Sequence, residues 1–364
     1  MKKTVVIIEI IIATLLLLAA IAVGVGIVLG KSIPGLSHEI VPTTETVATT
    51  ETAEPTMPST APTTPGEATE PTEATEPPEE PESIITWKTF EVDRELTAAR
   101  AFVYDCQTSS FLYLKGEASE TLYMASITKL FSAYVATQYL DSEMLLTVSE
   151  DVLAMIPEDS SSAGLKAGEV LSVSQLIEGM LLPSGNDAAH MIAMAAGREL
   201  AGDPELPVAD AVAVFVDEMN KQAKNYGLNG THFANPDGYH HEEHYTTIRD
   251  LATIGELALR NELIMSFTTV AKATITPALG EEKEWLNTNF LINPEYEYYC
   301  PYAVGLKTGQ TDAAGKCQLS AFDIDGKQYI IGVFGSAGFN ERLDDTLQLF
   351  NSKVIAHLDP ETMS

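Results

Sequence analysis

The sequence predicts a mixed α/β domain, one sheet covered by helices and carrying a helical lobe, preceded by one transmembrane helix and a disordered linker. Three observations predict this. β-like runs occur at residues 101–114 and return between 269 and 334, with helical patterns between them. Residues 10–29 carry no charged side chain. Residues 32–84 are built mainly from Thr, Pro, Glu and Ala. Strands at both ends of a helical insert are most simply joined in one sheet.

Residues 1–31 read as an N-terminal membrane anchor. The uncharged run would span about 30 Å as a helix, the thickness of the hydrocarbon layer. Glu9 and Lys31 mark its two boundaries, and Lys2 and Lys3 favour a cytoplasmic N-terminus. The rest of the chain is then expected outside the cell membrane. A cleaved signal peptide, with Ala20-Ile21-Ala22 as its small-x-small site, is the alternative and also exports the domain. The linker at 32–84 has few large apolar side chains, and no Lys or Arg occurs between Lys31 and Lys88. It cannot offset its chain entropy by burial. Its acidic charges and prolines extend it, to a reach of ~40 Å as a coil and up to ~150 Å as polyproline II.

The folded domain is assigned to residues 85–364. Runs at 101–104 and 111–114, separated by a polar turn, predict a hairpin. Ile127, Leu130, Phe131, Tyr134, Val135 and Tyr139 then recur at helical spacing. Further helices are expected at 176–182, 186–200, 208–226 and 248–260. Strands are expected at 269–275, 302–308, 317–324 and 328–334, and a terminal helix at 340–358. The net charge of −31 over 364 residues argues against a nucleic-acid partner. Cys106, Cys300 and Cys317 are too few for a disulfide framework. They read as small buried hydrophobes, and nothing in the sequence supports a Cys106–Cys300 bridge.

Three short motifs carry chemistry. Ser126 and Lys129 stand three apart, on one face of the expected helix. Ser126 would lie in the first turn, where free N–H groups favour developing negative charge. Burial of Lys129 along the apolar stripe would depress its pKa and make it a base for the serine. Pro183-Ser184-Gly185-Asn186-Asp187 lies at a junction of two helical patterns. There Ser184 can relay a proton and Asn186 can pair with a peptide bond. Gly305-Leu306-Lys307-Thr308-Gly309-Gln310-Thr311 reads as a strand at a site edge. Lys307 and Thr308 can hold a carboxylate, and Gly309 would let a substrate backbone approach.

Ser-x-x-Lys, Ser-x-Asn and Lys-Thr-Gly in this order resemble the motif set of penicillin-binding proteins and class A β-lactamases. Over roughly residues 98–350 the chain resembles the serine D-alanyl-D-alanine carboxypeptidases, the low-molecular-mass penicillin-binding proteins. Residues 181–189, 234–238, 244–252 and 305–317 extend the likeness. The resemblance implies a β-lactamase/transpeptidase-like fold with a mainly antiparallel sheet. It implies Ser126 as acylated nucleophile, Lys129 as base and Ser184 as proton relay. Asn186 would bind the substrate backbone. Lys307, Thr308 and, matching a family arginine, Arg342 would hold the terminal carboxylate. The N–H groups of Ser126 and Gln310 would form the oxyanion hole. The implied reaction is removal of the C-terminal D-alanine from peptidoglycan stem pentapeptides, with no cofactor and no metal. Implied partners are stem peptides, β-lactam antibiotics as covalent inhibitors, and the lipid bilayer through the N-terminal helix. That helix would stand in for the second β-rich domain and basic amphipathic tail usual in the family.

Other readings compete with this one. A DD-endopeptidase or β-lactamase would use the same nucleophile, but no Glu-x-x-Leu-Asn loop lies between Asn186 and Lys307 to drive β-lactamase deacylation. A silent penicillin-binding wall module would be expected to have damaged motifs. His240-His241-Glu242-Glu243-His244 matches a zinc pattern that needs both histidines on one helix face. Here it follows the turn signal Asn235-Pro236-Asp237-Gly238 and reads instead as a solvated polar loop.

Overall fold

The computed structural model describes residues 95–352. The expected membrane segment, the linker and the end of the terminal helix lie outside them. Among the described residues no helix is long and apolar enough to cross a membrane.

In chain order, β1 (Arg100–Asp105) and β2 (Ser110–Lys115) form the expected hairpin, and β3 (Thr121–Leu122) is a short strand. A single 3-10 turn (Ala125–Ile127) leads into α1 (Thr128–Ala136). β4 (Leu145–Thr147), α2 (Glu150–Leu153), β5 (Val170–Ser172) and α3 (Val173–Leu181) follow. α4 (Asn186–Ala201) and α5 (Val208–Asn225) complete the lobe. β6 (Thr246–Thr247), α6 (Ile248–Leu259), α7 (Glu262–Thr268), β7 (Lys272–Ile275) and β8 (Lys283–Leu286) return the chain to the sheet. β9 (Ala303–Thr311), β10 (Gly315–Ile324), β11 (Lys327–Ser336) and α8 (Phe339–Asn351) end it.

The main sheet has five strands in the order β2-β1-β11-β10-β9. Its neighbours pair antiparallel throughout, so no mixed sheet forms. Side chains alternate across a strand, and here both faces are buried. Phe102, Ile330 and Phe334 join the larger core with α1 and α6, whereas Ala101, Val103, Ile331 and Val333 pack with Leu343 and Leu349 of α8. β9, which carries the Lys-Thr-Gly motif, forms one edge and lies against the 3-10 turn that carries Ser126.

Several expectations are corrected. Ser126 lies in the 3-10 turn rather than in the first turn of a longer α-helix, because Ala125 takes φ +48° and Ile127 N donates to Met124 O, three residues back. Tyr139 falls beyond α1. The run at 269–275 begins three residues late, because α7 precedes it, capped by the Asn261 side chain accepting from Ile264 N. β7 then pairs with β8 in its own two-stranded sheet, away from the main one. The three cysteines are free, two buried and Cys106 half-buried.

Candidate active site

Local backbone strain gathers at the three motifs. Of the non-glycine residues with positive φ among those described, Ala125 (+48°), Ser184 (+67°) and Leu306 (+72°) stand beside or within them. Such conformations cost roughly 1–3 kcal/mol each and persist where surrounding packing enforces them. At Ala125 the close neighbour is Gly238: a β-carbon there would lie 2.0 Å from Ala125 O. The loop after α5 thus packs directly on the turn that carries Ser126.

Lys129 is fully buried, and its Nζ donates to Ser126 Oγ at 2.9 Å, Asn186 Oδ1 at 2.7 Å and Asp237 O at 2.7 Å. Burial pulls its pKa down to about 8, against the opposing charges of Asp237 and Asp187. Two of its three partners are carbonyl oxygens, which only accept. A neutral amine has two N–H bonds and one lone pair. With both hydrogens given to Asn186 and Asp237, the lone pair points at Ser126 Oγ.

Asn186 opens α4, and neighbouring Asp187 organises a loop. The Asp187 carboxylate accepts from Ala163 N, Leu165 N, Ser162 Oγ and Ala188 N. That holds residues 159–165 beside the serine, where Ser161 Oγ donates to Ser184 O.

On β9, Lys307 and Thr308 are both buried. Lys307 Nζ donates to Thr308 O at 3.1 Å and faces Thr288 Oγ1 at 3.4 Å, and Thr308 Oγ1 donates to Thr288 Oγ1 at 2.6 Å. Burial drives the Lys307 pKa well down, and the charges of Lys129 and Arg342 add to it. Arg342 is buried in α8, its guanidinium 4.9 Å from the Phe339 ring centre, and its Nε has no hydrogen-bond partner among the described residues. Burial lowers its pKa to about 10.

Ser126, Ser184, Asn186, Thr308 and Arg342 border one cleft in two halves that share Ser126, Asp159, Ser160, Ser161 and Gln310. The half of about 460 Å³ is lined by Ser184, Thr288, Thr308 and Arg342, with Phe290 and Phe339 at its end. The half of about 380 Å³ is lined by Asn186, Tyr239, Asp159 and Asp312. The sequence-predicted site residues are thus brought together. Gly309 accommodates the protein's own backbone: a β-carbon there would meet Met124 O at 2.9 Å and Ser126 N at 3.0 Å.

Sequence reasoning missed Thr288, His190 and Asp237, and misread His244. The last is buried, not solvated: Ala234 N donates to its Nδ1 at 3.1 Å, so Nε2–H donates to Thr128 Oγ1 at 2.7 Å. Thr128 Oγ1 in turn donates to Ala125 O, bracing the turn that carries Ser126. The one signal for Asp237 was its turn motif, and a turn motif does not say what its carboxylate touches.

An antiparallel sheet edge laid against a serine, with a buried lysine at hydrogen-bond distance from that serine, defines an active-site-serine enzyme of the transpeptidase-like, penicillin-binding class. The chain belongs to the D-alanyl-D-alanine carboxypeptidase family, whose model matches residues 87–338. It is 32% identical over 264 residues to a D-alanyl-D-alanine carboxypeptidase of Bacillus subtilis, covering 70% of this chain and 61% of that protein. The crystal structure of the Streptomyces K15 DD-transpeptidase superposes with a TM-score of 0.65 at 28% identity, covering 72% of this chain and 98% of the other. Penicillin-binding protein D2 of Listeria monocytogenes, in its ampicillin-bound form, superposes at 0.57 with 26% identity, covering 70% and 96%.

Proposed function

We propose that this protein is a serine D-alanyl-D-alanine carboxypeptidase that removes the C-terminal D-alanine from peptidoglycan stem pentapeptides. The observation that carries the reading is the three-way contact of Lys129 Nζ, two carbonyl oxygens and Ser126 Oγ. It supports Lys129 as a base aimed at one hydroxyl.

In this mechanism the peptide's terminal carboxylate docks on Thr308, Lys307 and Arg342. Two buried basic side chains, Lys307 and Arg342, lie there, so a carboxylate relieves both their repulsion and their desolvation. Asn186 meets the substrate backbone. Lys129 takes the Ser126 proton as Oγ attacks the carbonyl carbon of the penultimate residue. The resulting oxyanion is held by the N–H groups of Ser126 and Gln310. Ser184 passes the proton to the leaving amine, the C–N bond breaks, and D-alanine departs. Water then cleaves the Ser126 ester and returns a proton to the site. A β-lactam antibiotic offers a comparable carbonyl and carboxylate and would acylate Ser126 in the same way, and the Listeria relative in its ampicillin-bound form supports binding of such compounds.

The N-terminal charge and hydropathy pattern supports a working location outside the cell membrane, with residues 1–31 as anchor, 32–84 as stalk and 85–364 as catalytic domain. Deleting residues 1–31 should move the protein from the membrane to the soluble fraction.

The decisive experiment is mass spectrometry of a pentapeptide substrate alongside labelling with a fluorescent penicillin. Wild type should release one D-alanine and take the label, and Ser126→Ala should do neither. Equal labelling of the variant would remove Ser126 as nucleophile. Labelling of wild type without D-alanine release would favour a silent penicillin-binding module.

A further inference from the structure

One buried carboxylate belongs to the residue whose carbonyl accepts from Lys129 Nζ, and it has no step in the mechanism. Asp237 is 1% exposed. Its backbone carbonyl is one of the two obligate acceptors of Lys129 Nζ. Its Oδ1 accepts from Tyr239 N at 3.0 Å. Its Oδ2 makes no hydrogen bond and faces His190 Nε2 of α4 at 3.5 Å. His190 is itself buried, in a helix otherwise rich in Ala and Met. Beside Asp237, Pro236 O accepts from Ser132 Oγ of α1 at 2.6 Å, and Gly238 is jammed against Ala125.

The geometry points to Asp237 as a positioning residue for acylation: pinned by His190, it aims the Lys129 lone pair through its carbonyl and sets the base's working pH through its carboxylate charge. This rests on the acyl-enzyme reading above. Two links support it. Segment 236–238 touches α1 at Ser132, at Lys129 and at the turn before it, so a tilt of the Asp237 peptide moves the acceptor that directs Nζ. The carboxylate is also the larger of the two anionic influences on Lys129. Asp187 spends its oxygens on four donors, whereas Asp237 keeps one oxygen facing only His190. The titratable and charged groups around this pair are Asp187 and His190 from α4, His244 from the loop, and Lys307 from β9. His190 and Lys129 help hold the Asp237 carboxyl down at about 2 against its burial, so it stays ionised across the working range. An anion there favours protonated Lys129 and so raises the pH at which the base becomes available.

The test is the rate of acylation by a fluorescent penicillin from pH 5 to 10, with wild type as reference. Wild type should show an acid limb, and complete absence of labelling would instead defeat the acyl-enzyme reading. In Asp237→Asn the limb should move down by about one pH unit, the size expected for loss of one neighbouring charge. The plateau rate should change less than the rate on the limb. An unmoved limb in a folded variant overturns the proposal, because a purely structural role would lower the rate equally at every pH. If Asp237→Asn does not fold, His190→Val and His190→Gln decide. Val leaves Oδ2 facing no donor and should cut acylation by at least about tenfold, and Gln, which restores a donor, should recover most of it. Equal losses in the two would overturn the pinning role.

Discussion

Gly309 of β9 stands against Ser126: a β-carbon at Gly309 would lie 3.0 Å from Ser126 N. The glycine therefore fixes how closely the sheet edge approaches the Ser126 turn, and with it the spacing of the Ser126 and Gln310 N–H groups. Gly309→Ala should slow acylation by about 100-fold, the order expected for losing one oxyanion donor. Because the clash is local, the melting temperature should fall only modestly. Stopped-flow acylation and a thermal melt on the same preparation check both halves.

Lys129 links catalysis to stability. Its folded pKa of about 8 lies below its ordinary value of 10.5, so the unfolded chain binds more protons between those pH values and stability contributed by this group rises with pH there. Comparing wild type with Lys129→Met by denaturant unfolding at pH 7.5 and pH 10 isolates it. The difference should move toward wild type by as much as about 3 kcal/mol on the way up. The variant should also lose acylation by 10²-fold or more.

Arg342 has a buried Nε with no partner among the described residues and lines the same half of the cleft as Thr308. Arg342→Gln should lower kcat/KM by about 10- to 100-fold for peptides ending in a free carboxylate, the loss of one charge-assisted hydrogen bond. Peptides ending in an amide should respond far less. Equal losses on both would place Arg342 outside carboxylate binding.

His244 gives the fold an acid-sensitive brace. Burial lowers its pKa from 6.5 to about 4, and a proton on Nδ1 would displace the Ala234 N–H bond. The unfolded chain binds more protons between pH 4 and 6.5, so this stabilisation is present above 6.5 and is lost as pH falls to about 4. The loss should reach about 3 kcal/mol and be absent in His244→Gln, as read from unfolding at pH 7 and pH 4.5.

Much of this was legible in local pattern. The hairpin, α3 to α6 and the three sheet strands β9 to β11 follow from periodicity and turn residues, which depend on near neighbours alone. The motif residues Ser126, Lys129, Ser184, Asn186, Lys307 and Thr308 were legible as types at spacings. The 3-10 turn was not, because the left-handed Ala125 packs against Gly238, over one hundred residues along the chain, a contact no local pattern records. The strand start at 269 was misplaced because Thr269 and Val270 are strand-formers by propensity, whereas Thr269 is the C-cap of α7, a helix begun by the Asn261 cap.

The sequence by itself determined the chemical inventory: a serine with a lysine one turn away, a second serine with an asparagine, and a lysine–threonine edge strand. It also determined the anionic balance and the apolar N-terminal pattern. Only the tertiary structure decided what those groups face. The direction of the Lys129 lone pair depends on carbonyls from α4 and from the loop at Asp237. The role of Gly309 depends on a turn nearly two hundred residues earlier, and the state of His244 on its burial against α1. Propensity and spacing act over a few residues. Lone-pair direction, desolvation and close backbone approach are set by distant segments brought into contact, and the function rests on them.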